Sequence, residues 1–429
     1  MQSQWLRQRA RWIGALVTGA LAIGAMASAY AWLIEQAHRW FVGAVTGHAP
    51  IMLLLCPAVG AASVWLTRRY FAGAEGSGIP QTLAALHGGE AVRLRLLTVR
   101  LALARIGLTV LATAGGLPVG RQGPTVFVGA VVMHRLRRWT PAPHEAAARA
   151  WARRFIVLGA AAGLAAAFQT PLAGLAFAAE RLLRRFEPRL YGPLFMVVLV
   201  ACASAAMTGR APLLHAVSVR ESAHWTLGAA LAAGLVTGLA GSAFSWLLVH
   251  PARWMPPAMA RLRTQHPVWF SACCGLAVAA LTLAAGPPMF GTGHQTIQAL
   301  SAGSALSMAY PLAYPLAYLL ALLLTCLAGI PGGIFVPSLT IGAAFGAALQ
   351  PWLMADSATS IALSMSGYLA AVTRHPVMSF VIVMEMSGSL DAALPLMTAS
   401  LVGHAVARGL APPIYDSLAL GYAPRRMPS

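Results

Sequence analysis

The sequence predicts an all-α integral membrane protein, and three observations point to that class. Hydrophobic residues make up 58% of the 429 residues and charged residues only 10%, whereas about 25% of a typical soluble domain is charged. Apolar stretches recur at roughly the 20-residue length that a helix needs to cross the hydrocarbon of a bilayer. Alternating segments of about 10 residues, typical of a membrane β-barrel, are not evident. We therefore expect one transmembrane domain over residues 1–429, with roughly ten or more helical spans.

The first apolar stretch, 13–34, follows the basic segment MQSQWLRQRARW. It is longer than the apolar part of a secretory signal peptide, and the basic residues before it favour a cytoplasmic N-terminus. We interpret it as the first membrane helix. The other stretches in chain order are 51–66, 155–180, 191–208, 226–249, 268–285, 311–330, 361–387 and 393–410.

Arginines cluster at the ends of these stretches, and the formal net charge of the chain is +19. Such clusters orient a membrane protein with its basic loops inside, and they contact lipid headgroups, so they do not imply a nucleic acid partner. We expect a multi-pass protein of the cell inner membrane whose N- and C-termini are both cytoplasmic.

No motif in the sequence indicates an enzyme, a metal site or a cofactor. Neither H-E-x-x-H nor G-x-S-x-G occurs, and the 12 histidines are scattered. The five cysteines lie in or beside apolar stretches without the spacing of metal ligands, and we interpret them as small packing residues: Cys56, Cys202, Cys273, Cys274 and Cys326.

Three glycine- and proline-containing segments interrupt the apolar pattern: GSGIP at 76–80, GRQGP at 120–124 and GIFVP at 333–337. Proline near the first helical turn and glycine just before it are typical of a helix start to which a ligand can come close. The N-terminus of a helix carries unpaired N–H groups and partial positive charge, which favour an anion. The three segments contain no carboxylate, and only Glu75 flanks the first. The breaks therefore predict a site for an anion.

The order of these signals indicates an internal duplication. Gly120 and Pro124 have the same spacing as Gly333 and Pro337, and in each case a hydroxyl residue follows. Pro171 precedes Glu180, and Pro376 precedes Glu385, by the same interval of nine residues. Duplicated units with broken helices are typical of transporters whose site lies at the interface of the repeats. We expect a first half at 1–215 and a second half at 216–429.

The segments GSGIP at 76–80, GRQGP at 120–124 and GGIFVP at 332–337 resemble, in this order, the three signature motifs of the CLC family of chloride channels and proton-coupled chloride transporters. Further similarity covers 159–180 and 374–387. The resemblance implies a CLC-type fold, with many broken and tilted helices in an inverted internal repeat. It also implies a homodimer in the lipid bilayer, with one anion pathway in each subunit.

By this resemblance, the Ser77 hydroxyl and the backbone N–H groups of Ile334 and Phe335 contact a dehydrated anion, and the Tyr415 phenol closes the site. Taken without the motif order, Ser77 is also typical of a helix cap, Phe335 of a core aromatic and Tyr415 of an interfacial tyrosine. The full set of anion-binding positions that the resemblance implies is Ser77, Gly78, Ile79, Gln122, Gly123, Ile334, Phe335 and Tyr415.

Two positions depart from the family pattern. The second motif of the family usually contains a glutamate that acts as gate and proton carrier, and Gln122 occupies that position. Coupled members have a second, cytoplasm-facing glutamate, and counting from PLAG at 171–174 places Arg181 there. An amide does not titrate and an arginine stays protonated, so neither side chain can relay a proton.

We therefore expect passive transport of chloride, through a channel or an uncoupled carrier with Gln122 at the gate. Two alternatives remain open. In one, Glu180 replaces its neighbour as proton acceptor and the protein is a chloride/proton antiporter. In the other, the anion is nitrate, bicarbonate or fluoride, although Ser77 in the first motif resembles the chloride-type members.

Overall fold

The computed structural model describes residues 2–140, 144–183, 187–207, 226–285, 291, 293–301, 311–353 and 355–422. Within these ranges the chain is almost wholly helical. Its extended pairing there is limited to an isolated antiparallel bridge between Gly120 and Gly333.

The helices of the first part of the chain are α1 Gln2–Val45, α2 Met52–Tyr70, α3 Ile79–His87, α4 Glu90–Leu96, α5 Val99–Ala114, α6 Gln122–Leu136, α7 Glu145–Phe168, α8 Pro171–Phe177 and α9 Pro188–Ala206. A short π-helical segment, Ala178–Leu182, continues α8. The helices of the second part are α10 Thr226–Val249, α11 Pro251–Trp254, α12 Pro257–Gln265, α13 Pro267–Ala285, α14 His294–Ser301, α15 Ala313–Ala328, α16 Phe335–Leu353, α17 Ser357–Thr373, α18 Pro376–Ser387, α19 Ala393–Leu410 and α20 Ile414–Ala419.

Six helices of the described chain are long and apolar enough to cross a membrane, and a seventh span results if α4 and α5, bent by 43°, are taken together. This is fewer than the ten or more spans that the sequence predicts. Other apolar stretches form shorter helices, among them Ala313–Ala328 and Pro376–Ser387. The six are Ala10–Val45, Ala49–Tyr70, Glu145–Phe168, Pro188–Ala206, Leu227–Val249 and Pro267–Ala285.

The breaks after α7 and α17 have the same local structure. Gln169 ends α7 and Arg374 ends α17, both in the left-handed region, with φ of 59° and 65°. In each case a proline begins the next helix two residues later. A left-handed residue stops a helix, and a proline can begin the next one but cannot continue the last. The apolar stretches 155–180 and 361–387 therefore each contain a helix end inside an apolar run.

Glycines let α6 pack closely against α7, and α16 against α17. A Cβ on Gly129 of α6 would collide with the carbonyl oxygen of Gly159 in α7. In the same way, a Cβ on Gly346 of α16 would lie 2.5 Å from the Cα of Ile361 in α17. In a bilayer, where lipid is as apolar as the side chains, this close backbone approach is a main source of helix association. The packing fixes the orientation of both helices.

The α8 and α18 helices are joined by reciprocal carboxylate caps. The Glu180 carboxylate accepts hydrogen bonds from the N–H groups of Val377, at 2.9 Å, and Met378, at 2.7 Å, at the start of α18. The Glu385 carboxylate accepts them from Leu172, at 2.9 Å, and Ala173, at 2.8 Å, at the start of α8. Such reciprocity is what an internal duplication predicts. The expected boundary at 215/216 lies outside the described residues, so the two halves stay a prediction.

Candidate functional site

The three glycine-containing segments lie side by side and are joined by backbone hydrogen bonds. The Gly120 N–H donates to the Gly333 carbonyl at 2.7 Å, and the Gly333 N–H donates to the Gly120 carbonyl at 2.6 Å. The Gly332 N–H donates to the Gly76 carbonyl at 3.2 Å. The third segment is therefore bonded to both of the others.

Each segment leads directly into a helix, and the three helices begin close together. The first residues of α3, α6 and α16 are Ile79, Gln122 and Phe335. The α3 helix packs against α6, and α6 packs against α16. Unpaired N–H groups at helix starts carry partial positive charge, and three starts at one place add their fields. The arrangement can attract a small anion.

Glycine is required where these segments touch. Gly78 precedes α3 in the left-handed region, with φ of 89°, which favours a residue without a side chain. A Cβ on Gly123 would collide with the Ser77 carbonyl oxygen. A Cβ on Gly333 would lie 2.9 Å from the Gly123 nitrogen. The Ser77 loop and the start of α6 are therefore in direct contact.

The Gln122 side chain is buried where the three segments meet, and only 1% of its surface is exposed. Its Oε1 atom has no hydrogen-bond partner among the described residues. A Cβ on Gly120 would lie 2.9 Å from that oxygen and 3.0 Å from the Gly333 carbonyl oxygen, so the amide lies beside the Gly120–Gly333 bridge. A buried polar atom without a partner is costly and is often found at binding sites. An amide carries both a donor group and an acceptor oxygen, and neither titrates.

Aromatic rings cover the start of α16. The Phe335 ring stacks on the Tyr415 ring at a centroid distance of 6.1 Å and an angle of 22°. The Phe168 ring meets Phe335 edge-on at 6.2 Å. Tyr415 lies in α20, which packs against α3. Its phenolic oxygen is buried and has no hydrogen-bond partner in the described part of the chain. The tyrosine that the resemblance implies therefore lies against the start of α16.

A buried arginine lies directly behind the Ser77 loop. The Arg105 guanidinium is completely buried and donates to the carbonyls of Gly76, at 3.1 Å, and Gly73, at 2.6 Å. It also lies over the Phe127 ring, 4.5 Å from the ring centroid. No carboxylate of the described residues lies within ion-pair distance of it. Its positive charge is therefore held by carbonyl oxygens and a ring face, next to the first helix start.

The Glu75 carboxylate, which flanks the first motif, bonds within its own loop and lines a different cavity. The Glu75 side chain accepts a hydrogen bond from the Gly73 N–H at 2.7 Å. It lines a separate cavity of about 520 Å³ together with Arg68 and Arg263. Among the described residues, no group of three or more histidine, cysteine or carboxylate side chains is placed to hold a metal ion.

Arg181 has a charged partner that the sequence analysis missed. Its Nη1 and Nη2 atoms donate to the two carboxylate oxygens of Asp416, both at 2.9 Å. Asp416 follows Tyr415 directly in α20. Arg105 was missed as well, and its signal was a single charge inside the apolar run LALARIGLTV. No local signal joins Asp416 to Arg181.

Comparison with known proteins gives a consistent picture. The family described as voltage gated chloride channel matches residues 59–408. A voltage-gated ClC-type chloride channel ClcB of Salmonella typhimurium is 28% identical over 312 residues, which cover 70% of this chain and 72% of that protein. An H(+)/Cl(-) exchange transporter ClcA of Cronobacter sakazakii is 29% identical over 423 residues, which cover 94% of this chain and 87% of that protein.

Solved structures share the fold. The structure of a slow cyanobacterial Cl-/H+ antiporter superimposes with a TM-score of 0.81 at 24% identity, over 96% of this chain and 97% of that chain. A CLC-type fluoride/proton antiporter gives a TM-score of 0.76 at 22% identity, over 94% and 98% of the two chains. The expectation of an all-α membrane protein with a CLC-type fold is thus confirmed.

Proposed function

The chain belongs to the voltage-gated chloride channel family, and on that premise we propose that it lets chloride cross the membrane passively, as a channel or an uncoupled carrier, without exchanging protons. The observation that carries the proposal is the buried Gln122 amide beside the Gly120–Gly333 bridge. At this place a carboxylate would compete with a bound anion and take up a proton. An amide does neither, because it stays neutral at every physiological pH.

In this proposal the anion is held by the helix starts of α3, α6 and α16. The Ser77 hydroxyl and the N–H groups near Gly78, Ile79, Gly123, Ile334 and Phe335 are the donors, and the Gln122 amide is a further one. Arg105 adds a buried positive charge from behind the Ser77 loop. Donors fixed in a site of low dielectric bind an anion more strongly than the same donors in water.

The absence of proton coupling is supported by the second departure from the family pattern. Arg181 occupies the internal glutamate position, stays protonated, and is already paired with Asp416. The alternative acceptor, Glu180, uses both carboxylate oxygens to cap the start of α18. Protonation would weaken those bonds, because a neutral carboxyl accepts less strongly than a carboxylate. Its geometry therefore favours a structural role.

The relatives' names leave the transport mode open, since one is named a channel and the other an exchange transporter. We propose chloride as the anion on the basis of Ser77, with nitrate, bicarbonate and fluoride as the ions to compare. We further propose a homodimer in the inner membrane with both termini in the cytoplasm, and no enzymatic activity.

The test uses purified protein in proteoliposomes with equal chloride on both sides and an imposed pH gradient. A proton-coupled protein drives chloride uphill in this assay, whereas the proposed protein leaves chloride at equilibrium. Chloride efflux on addition of valinomycin to potassium chloride-loaded vesicles establishes that the same preparation conducts chloride. Protein-free vesicles are the control. Uphill chloride accumulation, or no chloride efflux at all, would contradict the proposal.

A further inference from the structure

The ion pair between Arg181 and Asp416 joins two distant parts of the chain, one of which carries Tyr415. Arg181 lies in the π-helical segment Ala178–Leu182 that continues α8, and Asp416 lies in α20. The two side chains form two parallel hydrogen bonds of 2.9 Å. This bidentate arrangement is the strongest geometry for an arginine and a carboxylate.

The helix that carries Asp416 is short and is held by its neighbours, since it packs against α3, α10 and α17. The α20 helix, Ile414–Ala419, has six residues and follows two consecutive prolines. A second arginine bonds the chain just after it, since Arg95 donates to the Tyr422 carbonyl at 3.1 Å. A six-residue helix is not stable alone, and its position depends on tertiary contacts. Among the contacts of the described residues that place α20, the Arg181–Asp416 bond is the ion pair.

Tyr415 lies directly beside this bond in the chain. It is adjacent to Asp416, and its ring stacks on Phe335 at the start of α16. Arg181 is 11% exposed, whereas the Asp416 side chain is 58% exposed. The buried partner stays in place with α8, and the exposed partner is the one that can leave. Opening the bond would remove a contact that holds α20 beside the start of α16.

We propose that the Arg181–Asp416 ion pair is a positioning pair that holds Tyr415 against Phe335, and thereby limits the rate at which anions pass the start of α16. The inference rests on the proposed function, because it takes the Phe335 and Tyr415 positions to line the anion pathway. Neither charged residue contacts the anion in this account. Each acts through the placement of the Tyr415 ring.

The Asp416 carboxyl carries the negative charge that the pair requires. Burial alone would raise the pKa of the Asp416 carboxyl, but the hydrogen bonds and the positive charge of Arg181 lower it below its ordinary value. His87 and His375 also lie close enough to act electrostatically on Asp416. The carboxylate therefore stays ionised near neutral pH, and the pair is not a pH switch.

The experiment compares chloride efflux from proteoliposomes for the native protein, Asp416→Asn and Arg181→Gln. The two substitutions change the local charge in opposite directions. A direct effect of charge on the permeating anion would raise the rate in one variant and lower it in the other. Release of Tyr415 raises the rate in both, by roughly two- to fivefold, the range expected from one partly exposed ion pair.

Two further variants separate positioning from a general loss of structure. The charge-exchanged double variant Arg181→Asp, Asp416→Arg restores the native rate if the bond itself matters. In a Tyr415→Ala background, Asp416→Asn has no further effect if the pair acts through the tyrosine. Arg181→Lys, which keeps the charge but loses the bidentate geometry, is the substitute if Arg181→Gln does not yield folded protein, and it too raises the rate.

The outcomes distinguish the two proposals. Without chloride efflux in the native protein, the proposed function fails. With native efflux but opposite effects in Asp416→Asn and Arg181→Gln, or with an undiminished effect of Asp416→Asn in the Tyr415→Ala background, the positioning role is overturned while the proposed function stands.

Discussion

Gly120 and Gly333 bond to each other through both backbone N–H groups, at 2.7 and 2.6 Å. This bridge joins the second and third motifs directly and holds the starts of α6 and α16 next to each other. Neither residue has room for a side chain, because a Cβ on Gly120 would lie 3.0 Å from the Gly333 carbonyl oxygen and one on Gly333 would lie 2.9 Å from the Gly123 nitrogen. The geometry of the site therefore depends on two residues that contribute no side chain.

Gly333→Ala is expected to separate the two helix starts. The new methyl group needs the backbone to shift, and such overpacking costs about 1–3 kcal/mol of stability. We expect a lower unfolding temperature in detergent and a loss of most chloride efflux. Gly192→Ala in α9 is the matched control, since nothing lies within 4 Å of a Cβ there. Native efflux in Gly333→Ala would show that the bridge is not part of the pathway.

Gln122→Glu is expected to make chloride efflux depend on pH. The new carboxylate, when ionised, occupies the positive pocket and excludes chloride, so the rate falls as pH rises through its pKa and recovers below it. We expect the efflux rate to change by about tenfold or more across this range, because the carboxyl at position 122 passes from neutral to negatively charged. Gln122→Ala is the control and should conduct at a rate that does not vary with pH. Identical pH profiles for Gln122→Glu and the native protein would place Gln122 off the pathway.

Arg105→Gln is expected to weaken chloride binding. The substitution removes the positive charge behind the Ser77 loop and the bonds to the Gly73 and Gly76 carbonyls. A unit charge even about 10 Å away interacts with an anion by about 1.7 kcal/mol at an effective dielectric constant of about 20, so a loss of about tenfold in chloride affinity, measured by calorimetry, is expected. Arg100→Gln is the control, because Arg100 is exposed and donates to Tyr70 at the surface. Unchanged affinity in a folded Arg105→Gln protein would remove Arg105 from the account.

Glu180→Gln and Glu385→Gln are expected to behave alike. Each glutamate caps the start of the helix that carries the other, and the loss of a cap costs about 0.5–2 kcal/mol. We expect a similar fall in unfolding temperature for both variants, with no change in the pH dependence of chloride efflux. A proton acceptor would behave differently, because neutralising it would remove proton movement. An effect of Glu180→Gln on proton flux that Glu385→Gln does not share would favour the antiporter alternative.

The sequence predicts the fold class and the three helix starts because both depend on local signals. Apolar length, glycine and proline act over a few residues, and the motif order adds the family resemblance. That Ser77, Gln122 and Phe335 lie together follows from the structure, whereas their role as anion ligands stays a prediction. The reciprocal spacing of Pro171 with Glu180 and Pro376 with Glu385 indicates a repeat but not that each glutamate bonds to the other helix.

What the sequence does not predict are contacts between distant parts of the chain. Asp416 lies in the C-terminal helix, and only the folded structure shows that it is the partner of Arg181. The sequence shows that Arg105 is a charge in an apolar run, but it does not show what binds the guanidinium. The partners are backbone carbonyls, which leave no sequence signal. The positions of the helix breaks are missed for a similar reason, since a left-handed residue such as Gln169 or Arg374 ends a helix without any change in hydropathy.

The zero-flux potential for chloride distinguishes transport of chloride alone from chloride/proton exchange. Proteoliposomes with a fixed chloride gradient are set to a series of membrane potentials with potassium and valinomycin, and the potential at which net chloride movement stops is measured with and without a pH gradient. If the Gln122 protein moves chloride alone, this potential equals the chloride equilibrium potential in both cases. A shift of the zero-flux potential when the pH gradient is imposed would mean that protons move with chloride, and the account would be wrong.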